Sequence, residues 1–175
     1  MKKPLIITLL ITICLSACKK DALTNDYDKS YSAWLSFKRA NNNSYSYTTI
    51  NGSVVSGVSG ETKITVNKGV VIARDYTSYK YSPNTTGTGS VKTTLSEWHE
   101  DKTNLNTHGN AAGQVLTLDD VYKKAKNEWL TADKKTNDIF FEATINGMIS
   151  TCSYRPKGCQ DDCTVGIHIW YINAL

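Results

Sequence analysis

Apolar and polar positions recur along this chain with two different periods. Over residues 25–38 the apolar residues Tyr27, Tyr31, Trp34 and Leu35 fall at i, i+4, i+7 and i+8, one face of an amphipathic helix that Asn41-Asn42-Asn43 ends. A second helix is predicted to start at Thr117. Asp120, three positions on, completes a capping-box pattern with Asp in place of Glu. Leu118, Val121, Tyr122, Ala125 and Trp129 then form its apolar stripe. Stripes of this kind are what packing against a core requires, and no cofactor role is read into them.

The other segments alternate with period two. Tyr45, Tyr47 and Thr49 alternate with Ser and Thr as a half-buried strand. Residues 51–60, rich in Gly and Ser, are expected to form a turn or flexible hairpin loop. Residues 63–67 and 70–76 flank Lys68-Gly69 as a hairpin. After the second helix, Ile139, Phe141, Ala143 and Ile145 share one strand face. Asn146-Gly147 suits a two-residue hairpin turn, because both positions tolerate positive φ, and residues 148–154 return. Val165, Ile167, Ile169 and Tyr171 alternate toward the C-terminus. Residues 82–113 are polar, with one strand expected over 90–98.

This order predicts an α+β fold: an antiparallel sheet with two helices on one face, built from two successive helix-plus-strands halves. The domain is expected to cover 25–175. Residues 25–81 form the first half, 117–175 the second, and 82–116 a polar connection acting as a functional loop or a mobile linker.

The N-terminus follows a different pattern. Lys2 and Lys3 precede an apolar run over 4–13 broken only by Thr8 and Thr12, and Leu15-Ser16-Ala17-Cys18 follows. The run falls short of the roughly 20 residues a membrane-spanning helix needs, but it fits the apolar region of a secretory signal peptide. The tetrad resembles the lipobox of bacterial lipoproteins, a resemblance carried by the first 18 residues. It implies a signal peptide over 1–17, diacylglyceryl attachment to the Cys18 thiol, acylation of the new amine, and a lipidated tether over 18–24. The implied partner is a lipid bilayer, held durably because more than one acyl chain is attached. Lys19 occupies the position where many lipoproteins retained at the inner membrane carry Asp, so the resemblance favours the outer membrane over the inner. Lys19-Lys20-Asp21 resembles the start of surface-exported Bacteroidota lipoproteins, with one acid where these have several, and leaves surface exposure open. As a whole the chain resembles small Bacteroidota lipoproteins, on its Trp-containing first helix, Tyr-rich strand, Asp119-to-Tyr122 helix start, Asn-Gly hairpin and Cys-rich loop. No activity comes with that resemblance.

Composition narrows the partners. Half of the net charge of +4 on 175 residues comes from Lys2 and Lys3, too little and too dispersed for a nucleic-acid footprint, so no nucleic acid is expected. Of five cysteines, Cys14 leaves with the leader and Cys18 carries lipid, so Cys152, Cys159 and Cys163 remain. Outside the cytoplasmic membrane a disulfide is expected. A Cys159–Cys163 bridge would close a tight loop and a Cys152–Cys163 bridge would staple two strands. Geometry must decide between them, and the first is preferred here.

The same cysteines, with Asp161, Asp162 and His168 nearby, offer metal ligands. Their spacing lacks the paired C-x2-C units of zinc sites and of redox-active thiols, so no metal is expected. His99 and His108 flank a polar loop holding Glu97, Glu100 and Asp101, without the i, i+4 His pair of a metallohydrolase helix. No nucleophile elbow, phosphate loop or dinucleotide fingerprint is present, so neither catalytic residue nor cofactor is expected. Tyr76, Tyr79 and Tyr81, with Arg74 and Lys80 interleaved, are the candidate ligand contacts, suited to a protein surface or to sugars. The resulting expectation is a membrane-anchored, non-catalytic binding or interaction module of the cell envelope, with an envelope protein or glycan as partner. The alternatives are a metal- or redox-active protein using the C-terminal cysteines, or a glycan-binding accessory lipoprotein.

Overall fold

Helix α1 spans Ala22–Ala40 in the computed structural model, which describes residues 22–53, 56–109 and 112–175. Strands β1 (Tyr45–Ser53), β2 (Val58–Asn67), β3 (Val70–Pro83) and β4 (Ser90–Asp101) follow. Next come α2 (Leu118–Lys124), β5 (Asn137–Glu142), β6 (Thr151–Pro156) and β7 (Val165–Ala174). The fold is α+β: an antiparallel seven-stranded sheet of order β4-β3-β2-β1-β7-β6-β5, with both helices over one face. The helix-then-strands order recurs, but the two sets are unequal and fuse into one sheet where β1 pairs with β7.

Local chemistry explains most of these elements. Thr117 Oγ1 accepts from Asp120 N at 3.2 Å while Thr117 N donates to Asp120 Oδ2 at 3.0 Å, the reciprocal cap read from the sequence. The stripe Leu118, Val121, Tyr122, Ala125, Trp129 is buried throughout. Its last turn widens into a π-helical turn, Ala125–Trp129, in which Leu130 N donates to Ala125 O at 3.0 Å. Lys68 and Gly69 have φ of 50° and 80°, and Asn146 and Gly147 have 51° and 79°, as tight two-residue turns of this hand require.

The core lies between the helices and the inner sheet face. Trp34 is fully buried, edge-on to Tyr45 at 5.0 Å and stacked on Tyr122 at 6.2 Å. Its indole Nε1 donates to Asp119 Oδ1 at 2.9 Å, and Lys38 Nζ holds the other carboxylate oxygen at 2.6 Å. Buried phenols satisfy backbone groups at the start of α2 and in the loop before β6. Tyr45 OH accepts from Leu118 N at 2.8 Å, Tyr47 OH donates to Leu116 O at 2.7 Å, and Tyr122 OH accepts from Ile149 N at 3.1 Å. Burial pushes the Tyr27 phenol up to about 12 and raises Tyr45 and Tyr47 as well, so all three stay neutral.

Two expectations are corrected and one is extended. Residues 51–60 are mostly strand: Asn51, Gly52 and Ser53 pair with Gly60, Ser59 and Val58, because a twisted hairpin ladder tolerates small polar residues where water covers it. The strand expected over 90–98 forms and is longer: β4 runs for twelve residues, paired along β3 from Ala73↔Asp101 to Pro83↔Ser90. Its polarity reflects an edge strand with little apolar surface to bury. The alternation of β7 breaks after Ile169. Thr48 pairs with Tyr171 but Thr49 with Ile169, so Trp170 is an extra, bulged residue. Ile172 then takes the buried position, and Tyr171, expected in phase with Ile169, lies 57% exposed.

Candidate functional site: a slot between two parted strands

The bulge at Trp170 is where β1 and β7 separate. Their pairing runs from Tyr45↔Ala174 to Thr49↔Ile169 and stops, although β1 continues to Ser53 and β7 begins at Val165. Beyond this point β1 pairs only with β2, and β7 only with β6. The direction of the freed backbone groups follows from two hydrogen bonds. Leu175 N donates to Ser44 O, which makes Ser46 and Thr48 the residues of β1 whose backbone faces β7, and by period two Ile50 and Gly52 face the same way. Ile169 N donates to Ser150 O, so Ile169 and Ile167 face β6, and Gly166 and His168 face the gap. The Thr49↔Ile169 pair is closed by Ile50 N–H on His168 C=O, so beyond it Gly52 and Gly166, with the Ile50 carbonyl and the His168 amide, face a fork that no strand pairing fills among the described residues.

The fork is open on both faces of the sheet. On the helix side a cavity of about 240 Å³ lies among Thr49, Asn51, Ile167, Leu116 and Trp129, with the Lys124–Glu128 ion pair (2.9 Å) at its margin. The π-helical turn carries Trp129 and Glu128 to this wall. On the outer side a cavity of about 350 Å³ lies among Gly52, Thr151, Ser153, Asp162, Thr164 and His168. The two share Ile50, Asn51, Gly166, Ile167 and His168, so the slot passes between the strands. Both lobes mix polar and apolar walls: Leu116, Trp129 and Ile167 with Asn51, Gln114 and Glu128 on the helix side, and Ile50 with Thr151, Asp162 and His168 on the outer side. Gly166 makes the geometry feasible: its φ is 150°, and a Cβ there would collide with the backbone of Cys152 and Ser153.

The cysteines bear directly on this slot. Cys159 and Cys163 form a disulfide, with Cα atoms 6.4 Å apart, closing the loop that delivers Asp162, Thr164 and the start of β7. Cys152 is free and fully buried, and burial pushes its thiol up to about 12, which keeps it protonated and unreactive. Cys18, the expected lipidation site, lies outside the described residues. Asp161 remains in the disulfide loop, its backbone oxygen 3.3 Å from the Cys159 sulfur.

The three candidate tyrosines do not make one surface. Strand alternation puts Tyr76 on the inner face, 5.1 Å from Trp98, while Tyr79 and Tyr81 share the outer face in edge contact at 5.4 Å. Tyr79 is only 3% exposed; Lys92 Nζ lies 3.6 Å over its ring. Burial and a hydrogen bond to Glu61 push its phenol up to about 12. Tyr81 is the one exposed ring of the three, and the tyrosine strand therefore offers no shared stacking platform. The pair that does lie side by side on the outer face is Trp170 and Tyr171, 6.0 Å apart and 46% and 57% exposed, because a bulge turns two successive side chains the same way.

The histidines of the polar loop are likewise divided. His99 Nδ1 lies 2.6 Å from Asp75 Oδ1 on the outer face, and this hydrogen bond raises its pKa. His108 lies over the inner face, stacked on Trp98 at 4.1 Å with Nδ1 3.0 Å from Glu100 Oε1. Glu100 is the hub. It takes a two-pronged ion pair from Arg74 (2.8 Å each) and the amides of Asn106 and His108, and both charged side chains are fully buried. The Arg74 guanidinium holds the Glu100 carboxyl well below the usual carboxylate range. Arg74 also donates to Gly109 O and Gly113 O, pinning the end of the loop that forms one wall of the slot. Among the described residues no group of three or more His, Cys, Asp and Glu is placed to hold a metal, and no helix is long and apolar enough to cross a membrane.

No protein family, no curated protein and no solved structure matches this chain, so the site rests on its own geometry. Sequence reasoning missed the slot and the Arg74–Glu100 pair. A signal for the first does exist: Ile169 and Ile172 are three apart, which a regular strand cannot bury on one face.

Proposed function

We propose that this chain is a membrane-tethered, non-catalytic binding module of the cell envelope, and that the slot between β1 and β7 takes its ligand. The observation that carries the reading is the fork itself. A sheet that can close its ladder instead leaves backbone groups of Gly52 and Gly166 facing a cavity, and a disulfide and a buried ion pair brace its walls. Binding sites favour such concave, preformed places with few convergent polar groups. Tethering is supported by the Leu15-Ser16-Ala17-Cys18 tetrad, and an oxidising location by the Cys159–Cys163 bridge. The inert Cys152 thiol speaks against a redox or metal role for the C-terminal cysteines. The resemblance at Lys19 favours the outer membrane.

Two measurements test this. Fractionation should find the wild-type chain in membranes and a Cys18→Ser variant released from them; equal distribution would remove the tether. Envelope extract passed over the immobilised protein should yield a specific component, and an empty column across several growth conditions would remove the binding role. A second reading, a glycan-binding accessory lipoprotein, draws on Trp170 and Tyr171 as an exposed stacking pair. On that reading a glycan array gives signals that Trp170→Ala abolishes.

A further inference from the structure

We propose that the end of the molecule where α1 begins docks on the phospholipid surface of the membrane, with Phe140 in the headgroup layer and Lys134, Lys135, Arg155 and Lys157 against its anionic phosphates; this rests on the tether at Cys18. Reach sets the geometry. Cys18 lies four residues before Ala22, the first residue of α1, so a lipidated Cys18 holds Ala22 within about 14 Å of the anchor. The helix is 19 residues long and rises about 28 Å. Its other end, where Gly69 N donates to Asn43 O beside the Lys68-Gly69 turn, lies at the opposite end of the molecule. A tether this short brings one end of the fold to the bilayer and not the other.

The side chains at that end have the chemistry of a headgroup layer. Leu23, from the first turn of α1, lines a shallow groove of about 510 Å³ with Lys134, Phe140, Arg155 and Lys157, where β5 begins and β6 ends. Phe140 is 40% exposed, and the Arg155 guanidinium lies 5.6 Å from its ring. An exposed ring beside a long cationic chain suits the boundary between acyl chains and phosphates. Lys157 Nζ donates to the carbonyls of Lys134 and Lys135 at 2.8 and 3.3 Å, which gathers the three lysines at one place. These four cations face two carboxylates, Asp133 and Asp138, the second 3.9 Å from Arg155. Asp26, on the next turn of α1, is paired with Lys29 at 3.6 Å. The groove region thus keeps a surplus of positive charge, and Lys19-Lys20-Asp21 adds to it from the tether. A basic cluster held this close to a membrane is drawn to anionic lipid, over a Debye length of about 8–10 Å.

The test reconstitutes the protein purified from membranes into vesicles of phosphatidylethanolamine and phosphatidylglycerol that carry a nitroxide quencher on the headgroup. A fluorophore on Thr136→Cys reports the docked end, since Thr136 O accepts from Lys157 N. A fluorophore on Val70→Cys, at a position 62% exposed, reports the opposite end. Cys152 is buried and does not compete for the label. Quenching at position 136 is expected to exceed that at position 70 by about fivefold or more. It should fall by a similar factor at roughly 1 M salt, with phosphatidylcholine in place of phosphatidylglycerol, and in Lys134→Gln/Lys135→Gln. The salt and lipid comparisons need no charge variant, so they decide the matter even if that variant unfolds. Protein that fails to float with the vesicles removes the tether, and the proposal with it. Protein that floats but is quenched equally at both positions, or more at position 70, keeps the tether and overturns the docked surface. Quenching at position 136 that ignores both salt and phosphatidylglycerol overturns the role of the cations, and so the proposal.

Discussion

Replacing Glu100 with Ala should be among the most damaging single changes outside the aromatic core. The substitution leaves the Arg74 guanidinium in a site with no solvent exposure, with only the carbonyls of Gly109 and Gly113 as acceptors. Removing one partner of a buried ion pair costs about 3–5 kcal/mol, because an uncompensated charge stays behind. For a chain of this size that lowers the unfolding midpoint by roughly 6–20 °C. Thermal unfolding followed by far-UV circular dichroism reads this directly. The double variant Arg74→Met/Glu100→Gln separates charge from packing. It removes both charges, keeps side chains of similar length, and leaves an amide oxygen for one of the two loop N–H groups that Glu100 serves. It should lie within about 2 kcal/mol of wild type. Glu100→Ala within about 1 kcal/mol of wild type would refute the reasoning, since it would mean water reaches the pair. A double variant as damaged as the single one would show that packing, not charge burial, dominates.

Acid should act on the same group. Glu100 has a folded-state pKa below its unfolded one, so its contribution is fully present above the ordinary Glu pKa of about 4.3 and declines as pH falls toward the folded value. Unfolding midpoints of wild type should therefore fall more steeply below about pH 4.3 than those of Arg74→Met/Glu100→Gln; parallel curves would contradict this. Gly166→Ala should cost roughly 1–3 kcal/mol in chemical denaturation, because its Cβ meets the Cys152–Ser153 backbone; a neutral outcome would mean β6 and β7 lie farther apart than described. Thiol titration should find Cys152 silent toward an aromatic disulfide reagent at pH 8 in the native protein and reactive after unfolding, and prompt native reaction would contradict its burial.

The parts of this fold legible in the sequence are those fixed by residues close in the chain. The Thr117–Asp120 cap, the stripe from Leu118 to Trp129, and the Lys68-Gly69 and Asn146-Gly147 turns each need only a few neighbours, and all formed as read. The disulfide needed geometry, and geometry chose Cys159–Cys163. What escaped depends on partners far apart in sequence. Whether Tyr171 or Ile172 is buried depends on the Trp170 bulge, which exists only once β7 meets β1, more than a hundred residues earlier. Arg74 among tyrosines reads as a surface cation, and Glu100 beside His99 reads as a loop acid. Only the β3–β4 register, which sets them opposite each other on the inner face, makes them a buried pair. The candidate tyrosines failed as a set for the complementary reason: spacings of three and two residues put Tyr76 on one face and Tyr79 and Tyr81 on the other. The slot combines all three unknowns, a distant pairing, a bulge and a loop wall, and so left almost no local trace.

Everything proposed for function depends on the fork being open in solution, and amide hydrogen exchange on the unliganded protein measures this residue by residue. Gly52, Gly166 and His168 should exchange at close to the rate of an unstructured peptide, while Thr48 and Tyr171, paired just across the bulge, should be strongly protected. Protection of the first three to the level of Thr48 would mean that β1 and β7 zip together along their full length, and the binding slot would not exist.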